Sequence, residues 1–374
     1  GVPALHPAAR ELLVWALARQ GALQHLPQTL LSCELDARRA DAGDDPRLQA
    51  LLATASPADL APWLPPEWAG QAWQRAPDPL SRSPKPLVHW QPDARTATAP
   101  LAVLIPTRDH VGLLRQCVDS LLATAADPAH LAIWVADNGS TEAETLQYLA
   151  EAQAAGQLQV LRVDEPFNWS RLNNQLAARC GAELLLFLNN DTIMLSSGWD
   201  RTLRGLLARQ DIGAVGARLL YEDLTVQHGG IVFGHEGFVG HEATASPVDD
   251  PRALFDTQLS RRVSGVTGAF LACRRAVFER VGPFDEHELC VAFNDVDWCA
   301  RVTAAGLHIV YAPALSLIHL ESKSRGLDHA DPVRQARADH ERERLQARWP
   351  GLFDDDPLRS PRRSGWSGGQ RALR

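Results

Sequence analysis

Lysine is nearly missing from this sequence, methionine occurs once, and no two cysteines stand in a CxxC pair. Each shortage excludes something. The only lysines are Lys85 and Lys323, so arginine carries almost all the basic charge. With a formal net charge of −8, the chain lacks the basic footprint of a nucleic-acid binder. The 6 cysteines are scattered, which points to neither a zinc site nor a disulfide framework. They read as buried thiols of a reducing compartment. No apolar run approaches the ~18 residues of a membrane span, and no stretch reads as a signal peptide. Residue 1 is glycine and the sole methionine is Met194. The sequence is therefore expected to be a trimmed or processed form, or a piece of something longer.

What is present can bury a sizeable core: 45% of the 374 residues are apolar. That length suggests two domains, or one large domain with extensions. Residues 1–97 are rich in Ala, Leu, Pro and Trp. Helices are predicted over 12–23 and within 46–60. Residues 62–91, dense in proline and tryptophan, read as irregular chain packing its aromatics on a neighbour, with 81–86 as a linker. The next segment alternates strand and helix as a parallel sheet does. Strands are expected at 102–105, 131–136, 158–163 and 184–188. Helices are expected at 111–123, 142–154, 170–179 and 198–208. The domains expected are an accessory region over 1–97, an α/β domain over 98–326, a helical segment over 327–359 that includes a helix at 332–348, and a basic disordered tail over 360–374.

Polar clusters interrupt this pattern at informative places. The five apolar residues 184–188 run into Asn189, Asn190, Asp191 and Thr192. A continuous apolar run suits a strand buried on both faces. In open α/β sheets ligands bind beyond the carboxyl ends of the strands. A carboxylate at such an end can hold a hard divalent cation and, through it, a diphosphate. The plainer alternative is an Asn/Asp turn. The first strand ends in Pro106, Thr107, Arg108 and Asp109. Proline is expected to end it, with Arg108 free to bind phosphate or pair with Asp109. The second ends in Asp137, Asn138, Gly139 and Ser140. Asp137 could accept from the imide N–H of uracil or thymine, and Ser140 could cap the next helix.

Two further clusters follow. Asn294, Asp295 and Asp297 sit at the start of a helical pattern. They are either acids complementing the helix dipole or a general base with a helper carboxylate. His319 ends an apolar strand at 314–318 and precedes Lys323 and Arg325. Imidazole on a cation, with lysine and arginine on phosphate oxygens, would suit a diphosphate and its metal.

Taken in order, these motifs resemble the family 2 glycosyltransferases, which have the GT-A fold, and most of all the bacterial branch building rhamnose-containing surface polysaccharides. The resemblance spans residues 98–326. It rests on Ile105 to Asp109, Asp137 to Ser140, Phe167 to Ser170 with Asn173 and Asn174, Leu188 to Asp191, Val266 to Ala269, Gly282 to Glu286, Asn294 to Asp297, and His319 to Gly326. It implies nucleotide binding by Pro106, Thr107, Arg108, Asp109, Asp137, Asn138, Asn174, Asn189 and Asn190. Mg²⁺ or Mn²⁺ would sit on Asp191 and His319, and the diphosphate on Lys323 and Arg325. Gly268, Ala269, Asp285 and Asn294 would shape the donor-sugar and acceptor site. Asp295 would be the catalytic base, with Asp297 its rival. The family's Asp-x-Asp metal motif here begins with Asn189, and Asn294 replaces a glutamate.

The expected activity is inverting transfer of a sugar from a nucleotide diphosphate donor, such as dTDP-rhamnose or a UDP-sugar, to a glycan or lipid-linked glycan. The expected place is the cytoplasm, at the inner face of a bacterial membrane, with peripheral membrane association or service as one module of a tandem enzyme. Residues 26–31 are similar to the closing strand of such a preceding module. Two alternatives stand beside this reading. One is a catalytically silent glycan-binding scaffold. The other is a sugar nucleotidyltransferase, whose glycine-rich basic loop is absent at residues 107–112.

Overall fold

A computed structural model describes residues 73–81, 86–235, 237–250, 257–258, 260–320, 331–354, 356 and 358. The predicted helices at 12–23 and 46–60, the tail, and Lys323 and Arg325 lie outside the described residues.

The centre is built on strands whose side chains are apolar up to their carboxyl ends. β3 (Leu101–Thr107) and β6 (Leu184–Leu188) are buried along their whole lengths. Alternate residues of β3 serve opposite layers. Leu101, Val103 and Ile105 pack against α1 (Val111–Thr124), α2 (Ala143–Ala154) and α4 (Trp199–Leu207). Ala102 and Leu104 pack against α3 (Trp169–Arg179), α5 (Arg275–Val281) and α6 (Asn294–Ala304). This is a three-layer α/β architecture, and it matches the expected class.

β4 (Leu131–Asp137) and β5 (Gln159–Arg162) extend the parallel half from β3, while β6 pairs with its other edge. Beyond β6 the sheet continues through β13 (Phe270–Arg274), antiparallel to β6 and to β8 (Ile212–Leu220). β14 (His308–His319) then runs parallel to β8. The short β7 (Thr192–Met194) pairs with the end of β14, and β9 (Val226–His228) with β8. A separate hairpin, β10 (Ile231–His235) and β11 (Phe238–His241), lies beyond β9. β12 (Arg261–Arg262) completes the sheet's edge, and α7 (Pro332–Arg348) follows at the C-terminal side.

Two expectations need correction. Proline does not end β3, which continues through Pro106 to Thr107 in register with Asp137. Pairing with β6 stops at Leu104, so the missing N–H of Pro106 costs no ladder bond there. The irregular chain expected over 62–91 contains, among its described residues, an antiparallel hairpin of β1 (Trp73–Pro77) and β2 (Pro86–Trp90). Its prolines stand paired at the hairpin's inner end, where they leave the ladder intact.

That hairpin is tied into the main sheet. Trp90 is part of the core beside α4. Just past β1, Asp78 receives Arg218 of β8 through both carboxylate oxygens, at 2.8 and 3.0 Å, with both side chains fully buried. Removing one member would strand a buried charge, at a cost of about 3–5 kcal/mol. Asp78→Ala should therefore lower stability by that order in urea denaturation. Replacing both partners with apolar residues should cost markedly less.

Candidate active site at the carboxyl edge of the sheet

Polar residues gather where the buried strands end. Asp191 follows β6 by three residues and is itself buried. β7 begins at the next residue and pairs Thr192 with His319 of β14, while the Leu320 amide donates to the Asp191 carbonyl at 2.9 Å. The sheet ladder thus brings Asp191 and His319 together. His319 Nε2 stands 3.3 Å from Asp191 Oδ1 and 3.4 Å from Asn189 Nδ2. On the other side of the ring, Nδ1 lies 2.7 Å from Gln227 Oε1. An amide oxygen only accepts, so Nδ1 carries the proton in the neutral ring. The Nε2 lone pair then faces a carboxylate oxygen. Two converging acceptors suit a cation, and the Gln227 bond is the kind of support that orients a ligating histidine. Among the described residues, no group of three His, Cys, Asp or Glu side chains forms a metal cage. A cation here would complete its shell with phosphate oxygens and water, as Mg²⁺ does with nucleotides.

Asp295 approaches from the opposite layer, on the first turn of α6. Its Oδ2 accepts the Gly268 amide at 2.8 Å and its Oδ1 the Val296 amide at 2.8 Å. Burial pushes its carboxyl above the usual aspartate range, against the pull of those two amides and of His241. The Asn189 amide donates to the Ala269 carbonyl at 3.2 Å, so residues 268–269 adjoin the end of β6. Trp169 Nε1–H donates to Asn189 Oδ1 at 3.2 Å. Gly268 is needed here: a Cβ would lie 2.9 Å from the Trp169 ring.

Asp297 has another environment. It is fully buried and accepts from Arg301 at 2.9 Å, Arg348 at 3.1 Å and Trp349 Nε1 at 2.9 Å. Asp297 is thus held by two arginines and a tryptophan, and Asp295 by two backbone amides.

The remaining nominated residues divide by what they touch. Asp137 is buried, with Oδ1 accepting the Ser140 amide at 2.9 Å and Oδ2 meeting Arg162 at 2.6 Å. Thr107 Oγ1 accepts from Asn190 Nδ2 at 2.9 Å, and Pro106 beside it is buried. Arg108 is exposed and only loosely paired with Asp109, at 4.0 Å. Asp109 accepts the amides of Thr141 and Glu142 at 2.7 and 2.9 Å. Ser140 does not cap α2: its hydroxyl accepts from the Asp109 amide at 2.7 Å, bracing one strand-end turn against the other. Asn138 donates to the carbonyls of Val163 and Glu165. Asn174 exchanges hydrogen bonds with the Phe284 backbone. Asn294 donates to the Val291 carbonyl, and Asp285 accepts the His287 and Glu288 amides. These last four side chains bond to protein, although the Asn138 Oδ1 is buried without a hydrogen-bond partner.

Sequence reasoning missed Arg162, Gln227 and the histidine pair beside them, and it placed Trp169 in a motif without giving it a role. His228 is fully buried and meets His241 edge to face, with ring centroids 4.6 Å apart. Burial, with His241, Arg261 and His319 nearby, lowers the His228 pKa well below its usual value, so that ring stays neutral. Only the sequence Gln227-His228-Gly229-Gly230 marked the spot, and nothing local in it points to β14.

Comparisons with known proteins bear on the family and the fold. Residues 102–282 match the glycosyl transferase family 2 model. The chain is 36% identical over 263 residues to the uncharacterized protein y4gI of Sinorhizobium fredii, a match covering 70% of this chain and 29% of that protein. It is 38% identical over 249 residues to the O-antigen biosynthesis protein RfbC of Myxococcus xanthus, covering 66% of this chain and 19% of that protein. The chain thus spans less than a third of the length of either relative. Among solved structures, GalNAc-T7 with UDP, GalNAc and Mn²⁺ superposes with a TM-score of 0.52 at 13% identity, over 69% of this chain and 48% of that one.

Gly268→Ala tests the packing that holds the two halves of the site together. The added methyl should overpack Trp169 and cost roughly 1–3 kcal/mol of stability. Calorimetry should register that loss, and tryptophan fluorescence should report the displaced indole. The buried strands, their polar carboxyl edge and the family match mark residues 102–282 as a glycosyl transferase family 2 domain on the GT-A fold.

Proposed function

We propose that this domain is an inverting glycosyltransferase that moves a sugar from a nucleotide diphosphate sugar to a hydroxyl of a growing cell-surface glycan. The observation carrying this reading is the meeting of Asp191 with His319 on one side of the sheet's edge and of Asp295 with the Gly268 amide on the other. One pair suits a cation and its diphosphate, and the other suits a proton acceptor. Asp137 and Arg162 set an acceptor beside a donor, which suits the imide N–H and carbonyl of a uracil or thymine ring. The structural neighbour bound to UDP and Mn²⁺ and the O-antigen relative support the donor class, the metal and the product class. The sugar we favour is rhamnose from dTDP-rhamnose. We assign Lys323 and Arg325 to the diphosphate, and we place the domain at the inner face of the cytoplasmic membrane. No helix among the described residues is long and apolar enough to cross that membrane.

In this mechanism the acceptor hydroxyl attacks the anomeric carbon as the bond to the diphosphate breaks. Asp295 takes the hydroxyl proton on a carboxylate oxygen, and its raised pKa makes it a stronger base than an ordinary aspartate. Asp191 and His319 would hold Mg²⁺ or Mn²⁺, which when bound offsets the charge gained by the leaving diphosphate. Trp169 and Asn189 fix the floor between these groups.

Three outcomes test the assignment. Asp191→Ala should abolish the Mn²⁺-dependent rise in melting temperature given by UDP or dTDP; undiminished stabilisation would refute the metal site. Asp295→Asn should lower turnover by about 10²–10⁴-fold while leaving donor affinity nearly intact. In the parent protein the acidic limb of kcat/KM should lie above the usual aspartate range, because burial favours the protonated form. Activity is lost as pH falls through that raised value, and Asp295→Asn should remove the limb. A silent scaffold would release no nucleotide from either donor even with metal present.

A further inference from the structure

The segment that delivers Asp295 has little support of its own. It runs through residues 285–293 and ends at Phe293, whose backbone is left-handed with φ of 58°. A bulky residue rarely adopts that conformation without outside restraint. The restraint comes from two sides. Asn168 and Ser170, of α3 and its cap, donate to the Glu286, Leu289 and Cys290 carbonyls at 2.8, 2.6 and 3.1 Å, and α7 holds the other side. Glu341 is buried, and its two oxygens accept the amides of Val291 and Ala292 at 3.2 and 2.6 Å. One turn further on, Arg344 pairs with Glu288.

Arg348 gathers the rest. Its Nη2 donates to Asp285 at 2.5 Å and to Glu288 at 3.2 Å, and its Nη1 donates to Asp297 at 3.1 Å. Asp285 caps the amides at the start of the segment, and Asp297 lies in the first turn of α6, two residues beyond Asp295. One guanidinium therefore ties the beginning of the segment to the helix turn that closes it. The Asp285 carboxyl shows the strength of that hold. Burial works against its ionisation, yet the Glu288 amide, Arg348 and the His287 amide keep its pKa at about 2. Trp349 adds a bond to Asp297, and Leu345 packs with Ile231, Phe238 and Val296 under the same turn.

We propose that α7 is a positioning element of the active site and that Arg348, bridging Asp285, Glu288 and Asp297, is the residue through which it holds the Asp295 carboxylate in place. This rests on the reading of Asp295 as the base. Arg348 touches neither donor nor acceptor in this scheme. It acts by fixing where the proton acceptor stands, and a misplacement of about 1 Å can cost on the order of 10²-fold in rate. Lysine could keep the charge but could not span three carboxylates as the forked guanidinium does.

The test uses the full chain, with Mn²⁺-dependent nucleotide release from dTDP-rhamnose or UDP-glucose as the rate and calorimetric titration of dTDP or UDP as the affinity. Arg348→Ala should slow release by about 10- to 100-fold with nucleotide affinity within about threefold, and Arg348→Lys should recover part of the loss. In an Asp295→Asn background the same Arg348→Ala change should have little further effect, because a positioning residue has nothing left to position. An undiminished drop in that background would overturn the proposal. Hydrogen exchange gives a readout that needs no turnover. Arg348→Ala should speed exchange of amides in residues 285–297 by at least about tenfold, since that segment loses the tie on its α7 side. Unchanged protection there would overturn the proposal whatever the rates. If Arg348→Ala does not fold, Arg348→Lys carries both comparisons. Failure of the underlying reading looks different: Asp295→Asn alone would keep the parent rate, and the inference would fall with it.

Discussion

Burial of the central strands on both faces is the constraint from which the rest follows. β3 and β6 have helices above and below, so neither can carry a charged side chain along its length. Their polar residues are confined to the ends, and the parallel arrangement puts several of those ends on one edge. The site is thus a product of exclusion. Asp137, Asn189, Asp191 and Thr107 stand together because the sheet has no other place for them. The antiparallel β13 adds Gly268 and Ala269 at its leading end, on the same edge.

Much of this was legible in the sequence where the signal is local. The apolar run at 184–188 could only be a deeply buried strand, and the polar residues after it had to lie at a rim. The helix expected over 111–123 announced itself by its amphipathic pattern and the one over 332–348 by its long charged run, and the structure adds Asp331 as the cap of α7, accepting the amides of Val333 and Arg334. The β1–β2 hairpin escaped because its prolines and tryptophans blur alternation. They sit at strand ends and in core contacts, which only the folded sheet defines. Gln227 also escaped, since its meaning lies in His319, 92 residues away.

The candidate residues tell a related story. Asn138, Asn174, Asp285 and Asn294 fit a motif by type and order, yet their hydrogen bonds brace loops. A motif records that a residue matters to a site without saying whether it meets a ligand or holds something that does. Asp295 and Asp297 make the distinction plain. Two residues apart on one helix turn, they point to different neighbours. One meets a backbone amide at the rim, and the other is locked among Arg301, Arg348 and Trp349.

The register of β7 on β14 has a consequence of its own. Thr192 is paired with His319, so the bite between Asp191 and His319 is set by a backbone ladder and not by loops. A chelate fixed in this way gives up little conformational entropy when it closes on an ion. It also adapts poorly to ions of different radius, since altering the bite means moving a strand. If a cation binds here as proposed, the fixed bite would favour ions of one size, and phosphate oxygens and waters would complete its shell.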